Sequence, residues 1–396
     1  MSAAAQQWLS ECGYILVAFA MSYSVAAWLA ASLRRTASQS WSPALPPVTV
    51  LKPLCGAERT LYDSLRSFCT QTYPSFQIVF GAHAPDDPAI AVVHRLQREF
   101  PELDLQISVN TAQHGSSGKV SNLINMLPLA RHDYLVVADS DIRVAPEYLA
   151  KIVPPLLDPE VGIVTCPYRG IPPPGPWGKL GAAFINDWFM PSVYFSAMLG
   201  SRAFAFGATI AVRREVLTHI GDFRPIVDQL ADDYRLGELT RRIGLRTVLS
   251  DAVVETSVAE RTFIELVHHG LRWLRTIRAV RPLGYAFSFI SFGLVPATVG
   301  TLLAADAKSA EFMLAVTASA RLLLHFASRP AASALLELWV LPVCDLLVFV
   351  LWCWGFVTSR VRWRDVLYRV ARDGSAHRIL ETLSYRGPPC ADEPEH

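Results

Sequence analysis

The sequence predicts an α/β domain built on a mostly parallel sheet and flanked by membrane-spanning helices. Three observations lead to this fold class. Short β-branched runs alternate with helical segments over residues 47–258. Long runs without charge lie on both sides of that region. The 396-residue chain is 52% hydrophobic and 18% charged. Soluble domains carry roughly 25% charged residues, so part of this chain is expected in a bilayer.

The first membrane-spanning helix is expected at residues 12–33. Cys12 to Leu33 contains no charged residue, and about 22 residues at about 1.5 Å each cross a ~30 Å hydrocarbon layer. Glu11 precedes the run and Arg34 and Arg35 follow it, which is the reverse of a cleaved signal peptide. The positive-inside rule then places the N-terminus outside and the α/β region in the cytoplasm.

Further apolar runs follow the α/β region. Leu283–Ala305 has no charged residue and Leu338–Ser359 contains only Asp345, so both are long enough to span a bilayer. We expect Asp345 either to act in the function or to pack between helices. Between these runs, Phe312–Ser328 carries an arginine and a histidine, so it is either a weak span or an interfacial helix.

Residues 360–396 form a basic tail, which holds six arginines and two acids between residues 360 and 378. This charge favours a cytoplasmic C-terminus. An even number of crossings after the α/β region is then expected, which argues against residues 312–328 as a span. In total, we expect two to four transmembrane helices in this half of the chain.

The α/β pattern of residues 47–258 indicates where ligands bind. The expected strands are Val48–Leu51, Gln77–Phe80, Leu103–Val109, Tyr134–Ala138 and Val161–Thr165, and the expected helices are Leu61–Cys69, Ala89–Phe100, Val120–Leu127 and Glu147–Leu156. Strands that alternate with helices form parallel sheets covered on both faces. Such sheets bind ligands at the carboxyl ends of their strands, so the residues that follow each strand are the first candidates.

One of these strands, Tyr134–Ala138, runs directly into Asp139, Ser140 and Asp141. Two carboxylates at a strand tip can turn toward one ion, and hard oxygen ligands suit Mg²⁺ or Mn²⁺ bound to a diphosphate. The Asp-x-Asp pattern also occurs in ordinary surface turns. Its place at the end of a buried strand favours the metal site.

Two further acidic pairs lie at the starts of expected helices. Asp86 and Asp87 precede Pro88, and Asp232 and Asp233 open the segment that continues to residue 242. Acids at a helix N-terminus cap the helix and interact favourably with its dipole whatever the function. Capping is therefore the alternative to ligand binding at both pairs.

Composition and motifs exclude several classes of protein. The net charge of +1, from 36 basic and 35 acidic residues, gives no basic excess for nucleic acid. Seven cysteines, odd in number and never in a CxxC, indicate reduced thiols and neither a disulfide framework nor a zinc site. The chain has no GxGxxG and no GxSxG, and the loop His114–Lys119 departs from the phosphate-loop pattern.

Taken in chain order, these segments resemble a known family. The segments are VTVLKPL (48–54), DDP (86–88), KVSNL (119–123), DSD (139–141), ADDY (231–234) and HGLRW (269–273). They resemble glycosyltransferases of families 2 and 21, which have the GT-A fold, and most closely the ceramide glucosyltransferase branch. Within that branch, KVSNLINMLP, FAFGATIA and LADDYRLGELTRR are similar to the glycosyltransferases of bacterial hopanoid biosynthesis.

This resemblance implies a site for a UDP-sugar. Asp87 would contact the uridine, Lys119 would approach the donor, and Asp139 would lie near the ribose or the sugar. Asp141, with Asp139, would hold Mg²⁺ or Mn²⁺ on the diphosphate. The GT-A domain would occupy residues 47–258.

The resemblance also implies the reacting groups. Asp233 would be the general base for the acceptor hydroxyl, with Asp232 beside it. Arg272 and Trp273 would close over the diphosphate and the acceptor entrance, on an interfacial helix at residues 259–282. His269 departs from the family, which has Gln or Arg there, so its contact with donor or acceptor is open.

One base without a second carboxylate nucleophile predicts inversion at the anomeric carbon. The resemblance therefore implies an inverting, metal-dependent UDP-sugar:lipid glycosyltransferase in the bacterial inner membrane. It favours N-acetylglucosamine transfer to a hopanoid polyol such as bacteriohopanetetrol. The alternatives are glucose transfer to ceramide or another lipid, a processive polysaccharide synthase, and a non-catalytic membrane scaffold.

Overall fold

The computed structural model describes residues 2–36, 44–329, 331–357, 360–363, 366–370 and 375–378. Its strands up to residue 257 are β1 (Val48–Pro53), β2 (Phe76–Ala82), β3 (Asp104–Val109), β4 (Tyr134–Val137), β5 (Ile142–Arg143), β6 (Val161–Thr165), β7 (Tyr168–Ile171), β8 (Ile210–Arg213), β9 (Arg246–Leu249) and β10 (Val254–Ser257). Three short strands follow in the basic tail, β11 (Arg360–Trp363), β12 (Val366–Val370) and β13 (Ala376–Arg378), and they pair antiparallel. The rest of the predicted tail lies outside the described residues.

The helices up to residue 242 are α1 (Ala3–Thr36), α2 (Leu61–Cys69), α3 (Ala89–Glu99), α4 (Gly118–Met126), α5 (Tyr148–Ile152), α6 (Pro176–Ala183), α7 (Met190–Met198), α8 (Arg214–His219) and α9 (Asp232–Arg242). A π-helical segment, Phe184–Phe189, joins α6 to α7. The later helices are α10 (Phe263–Val280), α11 (Pro282–Phe287), α12 (Leu294–Leu303), α13 (Ala307–Ala327), α14 (Ala331–Leu336) and α15 (Val340–Gly355).

The α/β region is built on a seven-stranded sheet in the order β3-β2-β1-β4-β8-β6-β9. Neighbouring strands are parallel except at β8, which is antiparallel to β4 and β6. The predicted mostly parallel sheet is therefore confirmed. A second, three-stranded sheet, β5-β10-β7, lies beside it and was not expected from the sequence, because its strands have at most four residues each.

Both faces of the large sheet are buried, which explains its continuous apolar runs. Successive side chains of a strand point to opposite faces, so Val50 joins one hydrophobic cluster and Leu51 the other. All six residues of β1 are buried, and one of them is Lys52. A buried ammonium group loses its hydration, so neighbouring groups must offset the free-energy cost of burying Lys52.

Within the part of the chain that the structure describes, two helices are long and apolar enough to cross a membrane, Ala3–Arg34 and Lys308–Ala327. A third candidate is the pair Pro282–Phe292 and Leu294–Leu303, which is bent by 72° at Gly293, where φ is +29°. The segment Val340–Gly355 is shorter, at 16 residues. That these segments cross the bilayer stays a prediction from length and composition.

The sequence left open whether residues 312–328 form a weak span or an interfacial helix. All of them except Ser328 belong to the long helix α13, and the arginine and histidine of this segment are buried inside the helix bundle. Arg321 and His325 therefore do not face lipid. Their polarity is thus no argument against this helix crossing the membrane.

These two side chains belong to a cluster that we call the buried ion cluster, formed by Lys179, Asp187, Arg321, His325, Arg329, Glu337 and Asp345. Asp187, in the π-helical segment, receives two hydrogen bonds from the Arg329 guanidinium at 2.7 and 2.8 Å. Arg321 pairs with Asp345, and Glu337 forms ion pairs with both Arg329 and Lys179. The lysine and the two arginines thus share three carboxylate partners, and His325 contacts one of these, Asp187.

We predict that Asp187→Asn strongly destabilises the protein. The change leaves Arg329 buried without its bidentate partner, and breaking a buried ion pair typically costs about 3–5 kcal/mol. The midpoint of thermal unfolding in detergent measures the effect. Glu99→Gln, which removes the exposed partner of Arg66, is the control and is expected to change the midpoint little. Equal midpoints for the two variants would contradict the prediction.

Candidate active site

The carboxyl ends of β1 and β4 lie at a cavity of about 1050 Å³. Most of the side chains that the sequence singled out line it, although they are distant along the chain. They are Lys119, Asp139, Asp141, Asp232, Asp233, His269, Arg272 and Trp273. The structure therefore brings separate segments of the chain together at one place.

The two acids after β4 occupy different environments. Asp139 directs its carboxylate to Lys119, with 2.6 Å between Oδ1 and Nζ. Asp141 is more deeply placed and accepts a hydrogen bond of 2.5 Å from the Thr256 hydroxyl. Burial, and then the nearby charge of Asp139, raises the pKa of Asp141. A cation at this point would favour the ionised form of both carboxylates.

Lys52 lies beneath these acids and was missed as a site residue. Its ammonium donates a 2.5 Å hydrogen bond to the backbone carbonyl of Asp139 and lies 3.9 Å from the centre of the Phe68 ring. Burial lowers the pKa of Lys52 to about 7, although the charges of Asp141 and Asp139 oppose this. The available signal was a lysine inside an otherwise apolar buried strand.

Lys119 joins the acids of β4 to those of α9. It lies in the first turn of α4, whose N-cap Ser117 accepts from the backbone N–H of Val120. Its Nζ is 2.6 Å from Asp139 and 3.5 Å from Asp232. Burial lowers the pKa of Lys119, but the neighbouring carboxylates outweigh it and raise the pKa overall. Lys119 is therefore a fixed positive charge in the cavity.

Asp233 is held at the start of α9 by backbone donors. Its Oδ2 accepts from the N–H of Gly207 at 2.8 Å, and its Oδ1 accepts from the N–H of Tyr234 at 2.7 Å. Burial and the adjacent charge of Asp232 raise the pKa of Asp233 to about 6. At neutral pH this carboxylate is ionised yet more basic than an ordinary aspartate, which suits a general base.

Gly207 leaves open the space between these charged groups. A Cβ at this position would lie 3.1 Å from Asp139 Oδ2, 3.1 Å from Lys119 Nζ and 3.6 Å from Asp233 Oδ2. Any side chain here would therefore occupy the volume that the two acids and the lysine enclose. Gly207 was not named as a site residue from the sequence, since its role depends on contacts between distant segments.

Asp87 lies outside the cavity lining, as does Asp86. The Asp87 carboxylate accepts from the N–H of Ala89 at 2.9 Å, as a capping residue does, and from the N–H of Gly56 at 3.1 Å. Cys55, next to Gly56, lines the cavity. The capping alternative thus describes Asp87 as the structure has it, and its contact with a nucleotide stays a prediction.

Helix α10 supplies one side of the cavity. Its start is fixed by a capping box between Thr262 and Glu265. The Trp273 ring packs edge-on against Phe189, with 5.0 Å between ring centres. The His269 imidazole also lines the cavity and contacts the Glu260 carboxylate. The structure therefore gives His269 a protein partner, while its contact with donor or acceptor remains open.

The other end of the cavity lies among the helices that are candidates to span the membrane. Tyr23 of α1, Phe195 of α7 and Ile290, between α11 and α12, line it there. Helix α1 is tied to the α/β region by Arg34, which donates to the backbone carbonyls of Leu249 (2.8 Å) and Ser250. One continuous cavity thus joins the acids to the helix bundle.

The donor set fits a divalent cation shared with a diphosphate. Among the described residues there is no group of three or more His, Cys, Asp or Glu side chains placed to hold a metal ion. Mg²⁺ at phosphate sites usually takes only one or two carboxylates and completes its coordination with phosphate oxygens and water. Asp139 and Asp141, at one strand end beside the open volume at Gly207, match that pattern.

Comparisons with known proteins agree with this geometry. The chain is 25% identical over 247 residues to ceramide glucosyltransferase 1 of Caenorhabditis elegans. The aligned region covers 61% of this chain and 52% of the relative. It is 30% identical over 115 residues to the ceramide glucosyltransferase of Komagataella phaffii, and this aligned region covers 28% of this chain and 23% of that relative. The chain spans about half the length of the first curated relatives it matches.

A solved structure shares the fold. It is a mannosyltransferase from Pyrobaculum calidifontis in complex with GDP-Man and Mn²⁺, with a TM-score of 0.53 and 20% identity, covering 88% of this chain and 99% of that one. The predicted GT-A fold is thereby confirmed. The sequence profile described as Glycosyl transferase family 21 matches residues 14–376. With its acids gathered at the strand ends of a GT-A sheet, the chain belongs to glycosyl transferase family 21.

Proposed function

We propose that this enzyme transfers a single sugar from a UDP-sugar to a hydroxyl group of a membrane lipid, with inversion at the anomeric carbon. The observation that carries the proposal is the continuous cavity. It holds Asp139, Asp141 and Asp233 at one end and residues of α1 and α7 at the other. A water-soluble donor and a lipid acceptor can thus reach the same reacting point.

The charged end suits a nucleotide diphosphate. Lys119 and Arg272 line it and can attract phosphate oxygens. Asp139 and Asp141 would hold Mg²⁺ or Mn²⁺, which when bound supplies positive charge to the departing diphosphate. The Pyrobaculum mannosyltransferase, which shares the fold, was solved in complex with both a nucleotide sugar, GDP-Man, and Mn²⁺. The cavity end thus carries groups for both the diphosphate and its counter-ion.

The opposite end suits an apolar body. Aromatic and aliphatic side chains dominate the lining there, including Trp188, Phe189, Phe195 and Ile290. Arg34 holds α1 against the α/β region, so this apolar end begins where the helix bundle begins. A lipid that stays partly in the bilayer could present its hydroxyl group to Asp233 through this passage.

The reaction then needs few protein groups. Asp233 accepts the proton of the acceptor hydroxyl as its oxygen bonds to the anomeric carbon. The bond from that carbon to the diphosphate oxygen breaks, and its electron pair leaves with UDP. Lys119 and Arg272 stabilise the charge that develops on the diphosphate. Attack from the face opposite the leaving group gives inversion, so an α-linked UDP-sugar yields a β-glycoside.

The sugar and the lipid are further parts of the proposal. The segments KVSNLINMLP and LADDYRLGELTRR support UDP-N-acetylglucosamine and a hopanoid polyol such as bacteriohopanetetrol, in a bacterial inner membrane. The ceramide glucosyltransferase relatives favour a second candidate, UDP-glucose and ceramide. Both candidates use the same cavity and the same base.

Product mass separates these functions. We expect membranes that contain the full chain to add one sugar to a lipid when supplied with UDP-N-acetylglucosamine or UDP-glucose together with bacteriohopanetetrol or ceramide. Chelation of divalent ions should abolish the product, and NMR should show a β-linkage. Membranes carrying Asp233→Asn are the control. A long polymer, an α-linkage or the absence of any glycolipid would contradict the proposal.

We predict that kcat/KM falls as the pH is lowered through about 6. The raised pKa of Asp233 means that its carboxylate becomes protonated there, whereas an ordinary aspartate would stay ionised to a pH of about 4. Asp232→Asn removes a charge that raises this pKa, so the acid limb should move to lower pH. Simple structural damage would lower the rate without moving the limb, and a flat profile in the wild type would refute the assignment.

We predict that Gly207→Ala impairs donor binding. The new methyl group would lie about 3.1 Å from both Asp139 Oδ2 and Lys119 Nζ, tighter than ordinary contact, in the volume proposed for the cation and diphosphate. Titration with UDP in the presence of Mn²⁺ measures the loss. Gly118→Ala is the matched control, since its Cβ would meet nothing closer than 3.8 Å. Equal UDP affinity in the two variants would contradict the prediction.

A further inference from the structure

The end of the cavity that lies among the helices of the bundle contains hydroxyl groups, away from the acids at the strand ends. Tyr23, Ser192 and Ser291 line it there. Tyr23 lies 11 residues before Arg34 on α1, which is about 16 Å along the helix axis. Arg34 marks where α1 meets the α/β region. These hydroxyl groups therefore lie well inside the helix bundle.

The Tyr23 hydroxyl lies near the hydroxyl groups of Ser192 and Ser291, but it makes no hydrogen bond of ordinary length and angle to any residue that the structure describes. The side chain is only 8% exposed, and its ring is fixed by an edge-on contact with Phe195 at 5.1 Å. A buried donor without a partner costs free energy that a bound polar group would recover. Because Tyr23 also lines the cavity, a molecule in the cavity can supply that group.

The two serines complete a site of defined chemistry. Ser192 donates to the backbone carbonyl of Phe189 at 2.7 Å, and Ser291 donates to that of Ser288 at 2.5 Å. Their protons are thus used, and their oxygens can act only as acceptors. The Ser291 oxygen already accepts from the Trp188 indole N–H at 2.8 Å and keeps one acceptor position, while Tyr23 offers a donor. A group that both accepts and donates, such as a hydroxyl or an amide, matches this set.

The charges nearby argue against an ionic guest. Arg321 is paired with Asp345 and with the backbone carbonyl of Asp187, and Arg329 is paired with Asp187 and Glu337. The buried ion cluster thus balances its basic charges internally, although Arg321 Nε has no hydrogen-bond partner among the described residues. A phosphate or carboxylate would gain no unpaired cation from this cluster and would lose its hydration.

We propose that Tyr23, with Ser192 and Ser291, forms a second polar subsite that binds a neutral hydroxyl or amide group of the acceptor lipid. This group is distinct from the hydroxyl that receives the sugar. The inference rests on the proposed function, because it requires the acceptor to enter the same cavity. It implies that the enzyme selects amphiphiles that carry a further polar group and discriminates against simple alcohols.

The test compares acceptors that differ in these additional polar groups. Bacteriohopanetetrol is paired with a hopanoid that carries one terminal hydroxyl, and ceramide is paired with a two-chain primary alcohol of matched chain lengths that lacks the amide and the second hydroxyl. The full-length protein in detergent is assayed as the wild type and as Tyr23→Phe. We expect the variant to lower the preference for the more polar lipid, measured as the ratio of kcat/KM values within a pair, by about fivefold, as loss of one hydrogen bond would. The KM for the UDP-sugar should not change.

Ser24→Ala is the control for loss of a hydroxyl from α1. The Ser24 hydroxyl is also buried without a partner among the described residues, but it does not line the cavity. The Ser24→Ala variant should show the same ratio of kcat/KM values within each lipid pair as the wild type. If Tyr23→Phe slows both lipids of a pair equally, or neither, the residue acts through packing or water and the subsite is refuted. If the wild type glycosylates none of the lipids, the proposed function has failed before any variant is compared, and the inference falls with it.

Discussion

The structure depends on keeping several carboxylates ionised in a partly dry cavity. Asp141 and Asp233 lie after β4 and at the start of α9, and burial raises the pKa of both carboxyl groups. The charge of Lys119 opposes this rise at Asp233. Lys52 contributes from below by holding the carbonyl of Asp139. The sheet is therefore required to bury a lysine in its central region, where an apolar residue would otherwise be favoured.

The helix bundle also buries basic side chains next to acidic ones. Lys179, Arg321 and Arg329 are paired with acids inside the bundle. Burial of paired charges contributes little net stability compared with apolar packing, although breaking one pair is costly. A cluster of this kind fixes how the π-helical segment, α13 and α15 meet. It thereby positions the wall of the cavity that Tyr23 and Ser291 share.

The sequence predicted the sheet well, because a sheet depends on local patterns. Most of the acids that it singled out line one cavity, while their roles stay predictions. Buried parallel strands appear as continuous apolar runs, and the acids follow such a run directly. Short antiparallel strands such as Ile210–Arg213 carry too few residues for a clear period. Lys52 and Gly207 escaped because their roles depend on contacts across the fold. The pairing of Arg321 with Asp345 could not be predicted either, because the two residues lie on different helices and sequence periodicity does not reveal such partners.

The hydrogen bonds that Arg34 donates to Leu249 and Ser250 mean that helix α1 cannot be separated from the α/β region without loss of contacts between them. They join the first helix to the edge strand β9, and through Tyr23 that helix is also a wall of the cavity. A fragment without its first 43 residues would keep the acids at the strand ends and the helices from α10 onward. It would lose the wall formed by α1, and under the proposed function water could then reach the sugar and compete with the lipid as the acceptor.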